Sequence, residues 1–268
     1  MCSSSWSLGS PLCGAILNHG LRFVIAGFSS HSGTGYLFGV PVGLLRSLTG
    51  TTLGACAFDE EANRYDQWFE SRKGKAIFEI EKDCLRALVQ TVTGLWLEVG
   101  VGSGRFAMSF GVTEGIDPSP EMLAIAARHN IHAVRGTGEH LPYRAGIFDG
   151  VLMVTTVCFL ADPMRTMLEC RRVLRHTAGR LVLGIVPAES NWGRLYRTRG
   201  DKGHPLYSNA TFYTCEQVIR ICTDAEFFLE MAISSLFTPP GEEPVTGLAD
   251  GINERAGFVA IRFRREIT

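Results

Sequence analysis

The stretch that decides the fold is residues 95–106, Leu-Trp-Leu-Glu-Val-Gly-Val-Gly-Ser-Gly-Arg-Phe. A short apolar run ends in the carboxylate of Glu98 and then opens into three alternating glycines, Gly100, Gly102 and Gly104. Glycine adopts positive φ angles and lets a ligand approach the backbone, which residues with a Cβ do only at a steric cost. The pattern therefore predicts a strand that leads into a ligand-binding turn.

The residues within this turn narrow the kind of ligand. A dinucleotide-binding turn follows the pattern Gly-x-Gly-x-x-Gly with a small third residue, but Arg105 stands at that place. A phosphate-binding loop is disfavoured because no Gly-Lys-Ser or Gly-Lys-Thr follows. Glu98 at the strand end would repel a pyrophosphate but would suit a ligand with an ammonium group. We expect a partly cationic cofactor.

The turn resembles the first motif of the class I S-adenosylmethionine-dependent methyltransferases, an acidic residue followed by Gly-x-Gly-x-Gly at the end of the first strand. Glu98 and the three glycines match it. The resemblance covers roughly residues 58–268 and is strongest up to residue 186. It implies a Rossmann-like α/β fold, doubly wound, with a mainly parallel seven-stranded sheet, helices on both faces and an antiparallel last strand. It also implies that S-adenosylmethionine is the cofactor and that these four residues bind it.

A second segment, Gly-Ile-Asp-Pro-Ser at residues 115–119, ends the predicted second strand. An acid at this place can accept hydrogen bonds from both hydroxyls of a ribose. The resemblance implies this role for Asp117, with Pro118 beside it at the cofactor, because the family commonly has Gly-x-Asp-x-Ser here. Ser119 is also suited to cap the following helix, with Pro120 at its first position.

A third segment, residues 133–142, resembles the family's loop after the third strand, usually Gly-Asp-Ala-Glu-x-Leu-Pro. The resemblance implies that Thr137, Gly138 and Glu139 lie along the adenine ring of the cofactor. Thr137 and Gly138 replace the family's Asp and Ala, so this segment departs most from the pattern. His140 occupies the variable position and is expected at the surface.

Two helices are predicted before the first strand, over residues 58–69 and 77–92, with Gly74 as the break between them. Within the first, Tyr65-Asp66-Gln67-Trp68 matches an opening Tyr-Asp-x-Trp motif that lies over the cofactor pocket in the small-molecule branch of the family. The resemblance implies that Tyr65 and Trp68 contact the cofactor as a lid. An ordinary aromatic core cluster is the alternative.

The remaining chain alternates strands and helices. Residues 148–154 form an apolar run without alternation, as a buried parallel strand requires. Helices are expected after an N-cap at Asp162 and over residues 214–225. Further strands are predicted over residues 180–186, 228–233 and 257–263. This alternation predicts a doubly wound sheet.

The long segment over residues 187–213 is expected to be an irregular cap over the substrate, since it mixes aromatic and charged residues. Methyl transfer needs a base only where the acceptor must lose a proton. The candidates for that base are Glu189, His204 and Tyr207. Cys158 is expected as a small apolar wall residue rather than a nucleophile, because the preceding residue is valine, where the cytosine-methylating enzymes usually have proline.

The amino-acid composition limits the classes of binding partner and the cellular compartment that we expect. The 268 residues carry a net charge of −1, which disfavours nucleic acid as a partner. The eight cysteines have no Cys-x-x-Cys spacing and no nearby histidine pairs, which predicts reduced thiols and a cytoplasmic location. We expect no metal site, because no His, Asp and Glu cluster has ligand spacing. No apolar run is long enough for a membrane span.

The charge pattern divides the chain near residue 58. The residues before it include no acid, and their formal side-chain charges are Arg22 and Arg46. We therefore expect residues 1–57 to be a poorly structured extension and residues 58–268 to be the methyltransferase domain, with residues 187–213 as a substrate-cap insertion.

These observations favour an enzyme that transfers a methyl group from S-adenosylmethionine to a small molecule by direct in-line displacement. A noncatalytic S-adenosylmethionine-binding or partner-binding module, and a protein or RNA methyltransferase, remain as alternatives. A nucleotide-dependent oxidoreductase is a third alternative, and it would require NAD(P) to bind despite Arg105. The sequence leaves the acceptor atom and the oligomeric state open.

Overall fold

The computed structural model describes residues 36–37, 40–41, 57–89, 93–177 and 179–265. In the first part of the chain, strand β1 (Tyr36–Leu37) pairs antiparallel with strand β2 (Val40–Pro41). The other residues before Ala57 lie outside the described residues, so the predicted extension over residues 1–57 stays a prediction.

Two helices precede the large sheet, α1 (Ala57–Trp68) and α2 (Arg72–Val89). The prediction that Gly74 separates them is wrong, because Gly74 is a buried residue in the first turn of α2. Its amide donates to Ser71 Oγ at 3.0 Å, which starts the helix. A Cβ at Gly74 would come within 1.9 Å of the Trp68 carbonyl oxygen. The glycine therefore allows the close approach of the two helices.

One sheet organises the rest of the chain, with the strand order β5-β4-β3-β6-β7-β10-β8-β9. Strands β3 to β7 are mutually parallel, and β10 runs antiparallel to both β7 and β8. The mainly parallel sheet and the antiparallel last strand are thus confirmed. The sheet has eight strands rather than seven, because the short β9 adds to the edge of β8. The strands are β3 (Trp96–Val99), β4 (Glu114–Asp117), β5 (His132–Arg135), β6 (Gly150–Val154), β7 (Arg180–Ile185), β8 (Phe227–Ser235), β9 (Leu248–Asp250) and β10 (Phe258–Arg265).

Five more helices connect these strands: α3 (Arg105–Phe110), α4 (Pro120–Arg128), α5 (Pro163–Val173), α6 (Asn191–Asp201) and α7 (Cys215–Asp224). The predicted caps are confirmed, because Ser119 Oγ accepts from the Met122 amide at 3.2 Å and Asp162 Oδ1 accepts from the Arg165 amide at 2.9 Å.

The segment over residues 187–213 is more regular than expected, since it contains all of α6 and the 3-10 helix Tyr207–Asn209. Ser190 caps α6 by accepting from the Gly193 amide at 2.9 Å. Gly193 made the start of α6 hard to predict, because glycine disfavours a helix. The structure requires a glycine there, since a Cβ would lie 2.2 Å from the Pro187 carbonyl oxygen.

Side chains of successive strand residues point to opposite faces of the sheet and build two cores. On β6, Val151 and Met153 pack with α5 and α7, whereas Leu152 and Val154 pack with α2 and α3. Helices thus cover both faces, and the carboxyl ends of the parallel strands open at one edge. No helix in the described part of the chain is long and apolar enough to cross a membrane.

Candidate functional site

A cavity of about 1200 Å³ lies at the carboxyl ends of the parallel strands. Such an edge is where ligands bind in open α/β sheets. Most of the residues singled out from the sequence line it: Tyr65, Trp68, Gly100, Gly102, Asp117, Pro118, Thr137, Gly138, Glu139, His204 and Tyr207. Glu98, Gly104 and Glu189 do not line the cavity, and each has a different position in the fold.

The glycine turn after β3 forms one wall of the cavity. Gly100, Gly102 and Gly104 have φ angles of 71°, 51° and 79°, all in the left-handed region. A Cβ at Gly100 would come within 2.3 Å of the Thr156 side chain, whereas a Cβ at Gly102 would meet no described atom within 4 Å. The backbone at Gly102 therefore faces open space. Gly104 instead caps α3 and packs against Ile131, so it positions the helix.

Asp117 joins the glycine turn to the turn after β4. Its Oδ2 accepts from the Gly102 amide and its Oδ1 from the Ser119 amide, both at 2.9 Å. Burial raises its pKa, and these two hydrogen bonds oppose the rise. Each carboxylate oxygen has a second acceptor position. Asp117 can therefore hold the turn and still accept hydroxyl groups from a ligand in the cavity.

Glu98 lies behind the turn and not at the cavity surface. The side chain is 2% exposed, and its carboxylate accepts from the Ala107 amide in the first turn of α3. Burial holds its pKa well above the ordinary value, with Asp117 raising it further. Because Glu98 does not line the cavity, a contact between its carboxylate and an ammonium group of the cofactor stays a prediction. The residue supports the turn from below.

The loop after β5 forms the wall predicted for adenine. Thr137, Gly138 and Glu139 all line the cavity. The departure of Gly138 from the family's Ala has a steric reason, because a Cβ there would lie 2.7 Å from the buried Thr166. Glu139 Oε1 accepts from the amides of Ala161 and Asp162 at 3.0 and 3.2 Å. Its carboxylate thus fixes the neighbouring loop.

Helix α1 lies over the glycine turn, with Tyr65 and Trp68 in the cavity wall. Arg105 holds it there: Nε and Nη2 donate to the two carboxylate oxygens of Asp66 at 2.7 and 3.0 Å. A third bond runs from Nη1 to Glu70 at 2.6 Å. In the sequence, Arg105 argues against a dinucleotide-binding turn. In the structure, its hydrogen bonds connect α3 to α1.

An aromatic wall faces the cavity from α6 and the segment after it. Tyr196 and Tyr207 stack with ring centroids 4.6 Å apart, and His204 stacks on Tyr207 at 4.5 Å. Trp192 and Phe212 extend this wall, at 6.0 and 6.1 Å from the Tyr196 ring. The sequence predicted a substrate cap over these residues, and all five line the cavity.

Helix α2 contributes a part of the cavity wall that the sequence did not predict. Lys73, Ile77 and Glu81 lie four residues apart on one face of α2 and line the cavity. Glu81 is 8% exposed, and burial raises its pKa to about 8. A signal was present in the sequence, because Glu81 interrupts the buried apolar positions Ile77, Phe78, Cys84 and Leu85.

The three candidate bases differ in what their positions allow. His204 Nδ1 accepts from the Leu206 amide at 3.3 Å, so the neutral ring keeps its proton on Nε2 and has no free lone pair. Burial raises the pKa of Tyr207, which keeps its hydroxyl protonated. Glu189 is exposed and pairs with Arg194 and Arg197 at 3.1 and 3.4 Å. None of the three is well placed to remove a proton in the cavity.

The backbone is strained at Thr155, the residue directly after β6. Thr155 has a φ of 51° and lines the cavity, although a β-branched residue rarely adopts this conformation. Strain of this kind persists where the surroundings impose it, often at ligand sites. Cys158, nearby, has a pKa raised to about 12 by burial, which agrees with a wall residue and not a nucleophile.

Comparison with known proteins connects this geometry to a family. A family model described as a methyltransferase domain matches residues 97–183. A solved structure from Thermotoga maritima, described as an SAM-dependent methyltransferase and possible histamine N-methyltransferase, is 33% identical with a TM-score of 0.72, covering 78% of this chain and 98% of that one. This chain belongs to the S-adenosylmethionine-dependent methyltransferases. S-adenosylmethionine is therefore its cofactor.

Two further relatives of this methyltransferase are similar over most of its length. An uncharacterized protein of Mycobacterium tuberculosis is 37% identical over 207 residues, which cover 76% of this chain and 72% of the relative. An uncharacterized protein of Methanocaldococcus jannaschii is 32% identical over 204 residues, 76% of this chain and 96% of the relative. The family match begins in β3 and ends in β7, so the aromatic wall and helices α1 and α2 lie outside it.

Proposed function

We propose that this methyltransferase transfers a methyl group from S-adenosylmethionine to a small-molecule acceptor by direct in-line displacement. The observation that carries the proposal is the cavity. Its volume of about 1200 Å³ exceeds that of a pocket for one drug-sized ligand, about 300–1,000 Å³. A cofactor and a compact acceptor can both be held there, under α1 on one side and the aromatic wall on the other.

The residues on the strand side fit the cofactor. The open backbone at Gly102, beside Gly100, suits the methionine part, and the remaining acceptor positions of Asp117, next to Pro118, suit the ribose hydroxyls. Thr137, Gly138 and Glu139 would border the adenine ring, and Tyr65 and Trp68 would cover the cofactor from α1. We assign Glu98 and Gly104 a supporting role behind these contacts.

The bound cofactor supplies an activated methyl group on a sulfonium. The protein then has to orient the acceptor and exclude water, and much of the rate enhancement of such reactions comes from this positioning. The aromatic wall of Trp192, Tyr196 and Tyr207 provides apolar surfaces for that purpose. None of the three candidates His204, Tyr207 and Glu189 is well placed as a base. A residue that accepts a proton is therefore expected among the other residues of the cavity.

The alternatives are less well supported by the site. A protein or RNA methyltransferase needs a surface for a large partner, whereas the aromatic side chains here surround a cavity, and the net charge of −1 gives no general attraction to RNA. The description of the T. maritima protein as a possible histamine N-methyltransferase is consistent with a small acceptor. The scattered cysteines remain the ground for proposing a cytoplasmic location.

The test combines binding with product analysis. Isothermal titration of the full chain with S-adenosylmethionine should give micromolar binding, and NAD should give none. Mass spectrometry should then detect a methylated product in a panel of small amines, phenols, thiols and carboxylic acids. Methylation of proteins or RNA from a cell extract, with no product in the small-molecule panel, would contradict the proposal. Binding of S-adenosylmethionine without any transfer would favour the noncatalytic module.

A further inference from the structure

Glu81 is a buried carboxylate that faces the cavity without a partner. It is 8% exposed, and no described residue forms an ion pair or a hydrogen bond with it; burial alone accounts for its raised pKa. A buried charged group without a partner is costly. A group of this kind at the surface of a ligand cavity therefore indicates a ligand that satisfies it.

Three tyrosines from different parts of the chain line the same cavity as Glu81. Tyr65 of α1, Tyr196 of α6 and Tyr207 of the 3-10 helix all lie near enough to interact electrostatically with its carboxylate. The hydroxyls of Tyr196 and Tyr207 are hydrogen-bonded to each other. Aromatic faces attract cations. A carboxylate beside several tyrosine rings is a suitable environment for an ammonium group, although the Arg199 guanidinium also acts on Tyr196 and Tyr207.

We propose that Glu81 with Tyr65, Tyr196 and Tyr207 forms the acceptor subsite, and that the acceptor is a small amine held as its ammonium ion by the Glu81 carboxylate. The proposal rests on the function proposed above and specifies its substrate class. Most residues assigned to the cofactor follow strands β3, β4 and β5, whereas this subsite is built from helices; Tyr65 of α1 would border both the cofactor and the acceptor.

The same carboxylate can accept the proton that the reaction releases. An ammonium ion has no lone pair, so it first gives one proton to Glu81. The freed lone pair of the nitrogen then forms the bond to the methyl carbon, while the carbon–sulfur bond breaks and leaves its electron pair on sulfur. The products are the N-methylated ammonium ion, a neutral thioether and protonated Glu81, which returns its proton to water. A pKa near neutrality, as burial gives Glu81, suits this exchange.

The experiment compares amines with alcohols of the same shape. The probes are butylamine, 2-phenylethylamine and tryptamine, each with its alcohol counterpart, titrated into the full chain saturated with S-adenosylhomocysteine. The variants are Glu81→Gln and, as a matched control, Glu79→Gln, since Glu79 lies on the same helix but is exposed and pairs with Lys82 at 2.8 Å. S-adenosylmethionine is titrated separately into all three proteins.

We expect wild type and Glu79→Gln to bind at least one amine about tenfold or more tightly than its alcohol. Glu81→Gln should lose this preference while its affinity for S-adenosylmethionine stays within about twofold of wild type. Equal binding of amine and alcohol, or no amine binding at millimolar concentration, would overturn the proposal. A loss of S-adenosylmethionine affinity in Glu81→Gln would also overturn it, because Glu81 would then serve the cofactor's own ammonium group. Failure of wild type to bind S-adenosylmethionine would instead refute the proposed function.

Discussion

The two sides of the cavity are built in different ways. On the strand side, backbone turns after β3, β4 and β5 form the wall, and the two hydrogen bonds of Asp117 join the first two of these turns. On the helix side, the wall consists of side chains from α1, α2, α6 and the 3-10 helix Tyr207–Asn209. A turn is contiguous in sequence, so a motif can represent it. A wall assembled from distant helices exists only after the chain has folded.

Two of the buried glutamates, Glu81 and Glu98, make the same contrast. Glu98 belongs to the motif, and the structure places it behind the turn with the Ala107 amide. Glu81 belongs to no motif, and the structure places it at the cavity. Burial raises the pKa of both carboxyl groups. A carboxylate in a motif can thus be structural, whereas one on a helix face can be the group that meets the ligand.

The largest effect should come from removing the charge of Glu81. Its pKa is about 8 in the folded protein against an ordinary value of 4.5, so the folded state holds the proton more tightly. Glu81 should therefore contribute a loss of stability to wild type as pH rises from 4.5 to 8, and Glu81→Gln should lack this contribution. We expect the free energy of unfolding of Glu81→Gln relative to wild type to increase by up to about 5 kcal/mol over this window. Urea unfolding at several pH values measures it.

The surroundings of Glu81 do not obscure this measurement. The titratable neighbours are Tyr65, Tyr196, Tyr207 and Cys84, and the pKa of each is raised, so all four stay protonated across the window. Lys73, on the same helix face, lies over the Trp192 ring. Carboxyl groups elsewhere titrate equally in both proteins. A constant difference between pH 4.5 and 8 would show that Glu81 is accessible to water in the folded state.

The strand side should be most sensitive to a change in backbone shape. In Gly100→Ala, the new Cβ would meet the Thr156 side chain and would force alanine into a left-handed conformation. We expect the affinity for S-adenosylmethionine to fall about a hundredfold. Gly251→Ala is the control, since Gly251 has a φ of 84° but no described atom within 4 Å. An equal loss in both variants would assign the effect to general backbone strain.

The sequence predicted the strand side well and the helix side poorly, for physical reasons. The positions of the central strands along the chain, the caps at Ser119 and Asp162 and the glycine turn depend on local chemistry, so a short segment contains the information. The lining role of Glu81 depends on α2 and α6 meeting at the same cavity, which no segment encodes by itself. The interpretation of Gly74 as a helix break failed similarly, because the contact that requires a glycine is with the preceding helix.

A smaller loss should follow from weakening the carboxylate that joins the two turns. In Asp117→Asn, the amide nitrogen cannot accept a hydrogen bond, so either the Gly102 or the Ser119 amide loses its partner. We expect the dissociation constant for S-adenosylmethionine to rise about tenfold. Asp162→Ala loses a comparable bond to the Arg165 amide at a helix start, and its affinity should stay unchanged. Parallel losses in both would mean that helix capping, and not the turn, controls binding.

The smallest effect should come from removing Arg105, whose hydrogen bonds connect α3 on the strand side to α1 on the helix side. Arg105→Ala removes the bonds to Asp66 and Glu70 and frees α1 from α3, but it leaves every cavity-lining atom in place. Partly exposed ion pairs of this kind contribute about 1 kcal/mol or less, so we expect a several-fold loss of cofactor affinity, expressed as faster dissociation. Stopped-flow release of S-adenosylhomocysteine measures it, with Arg165→Ala as an exposed control. If Arg105→Ala slows association instead, α1 does not act as a lid over the bound cofactor but helps to form the glycine turn, and the division of the cavity into two independent sides would not hold.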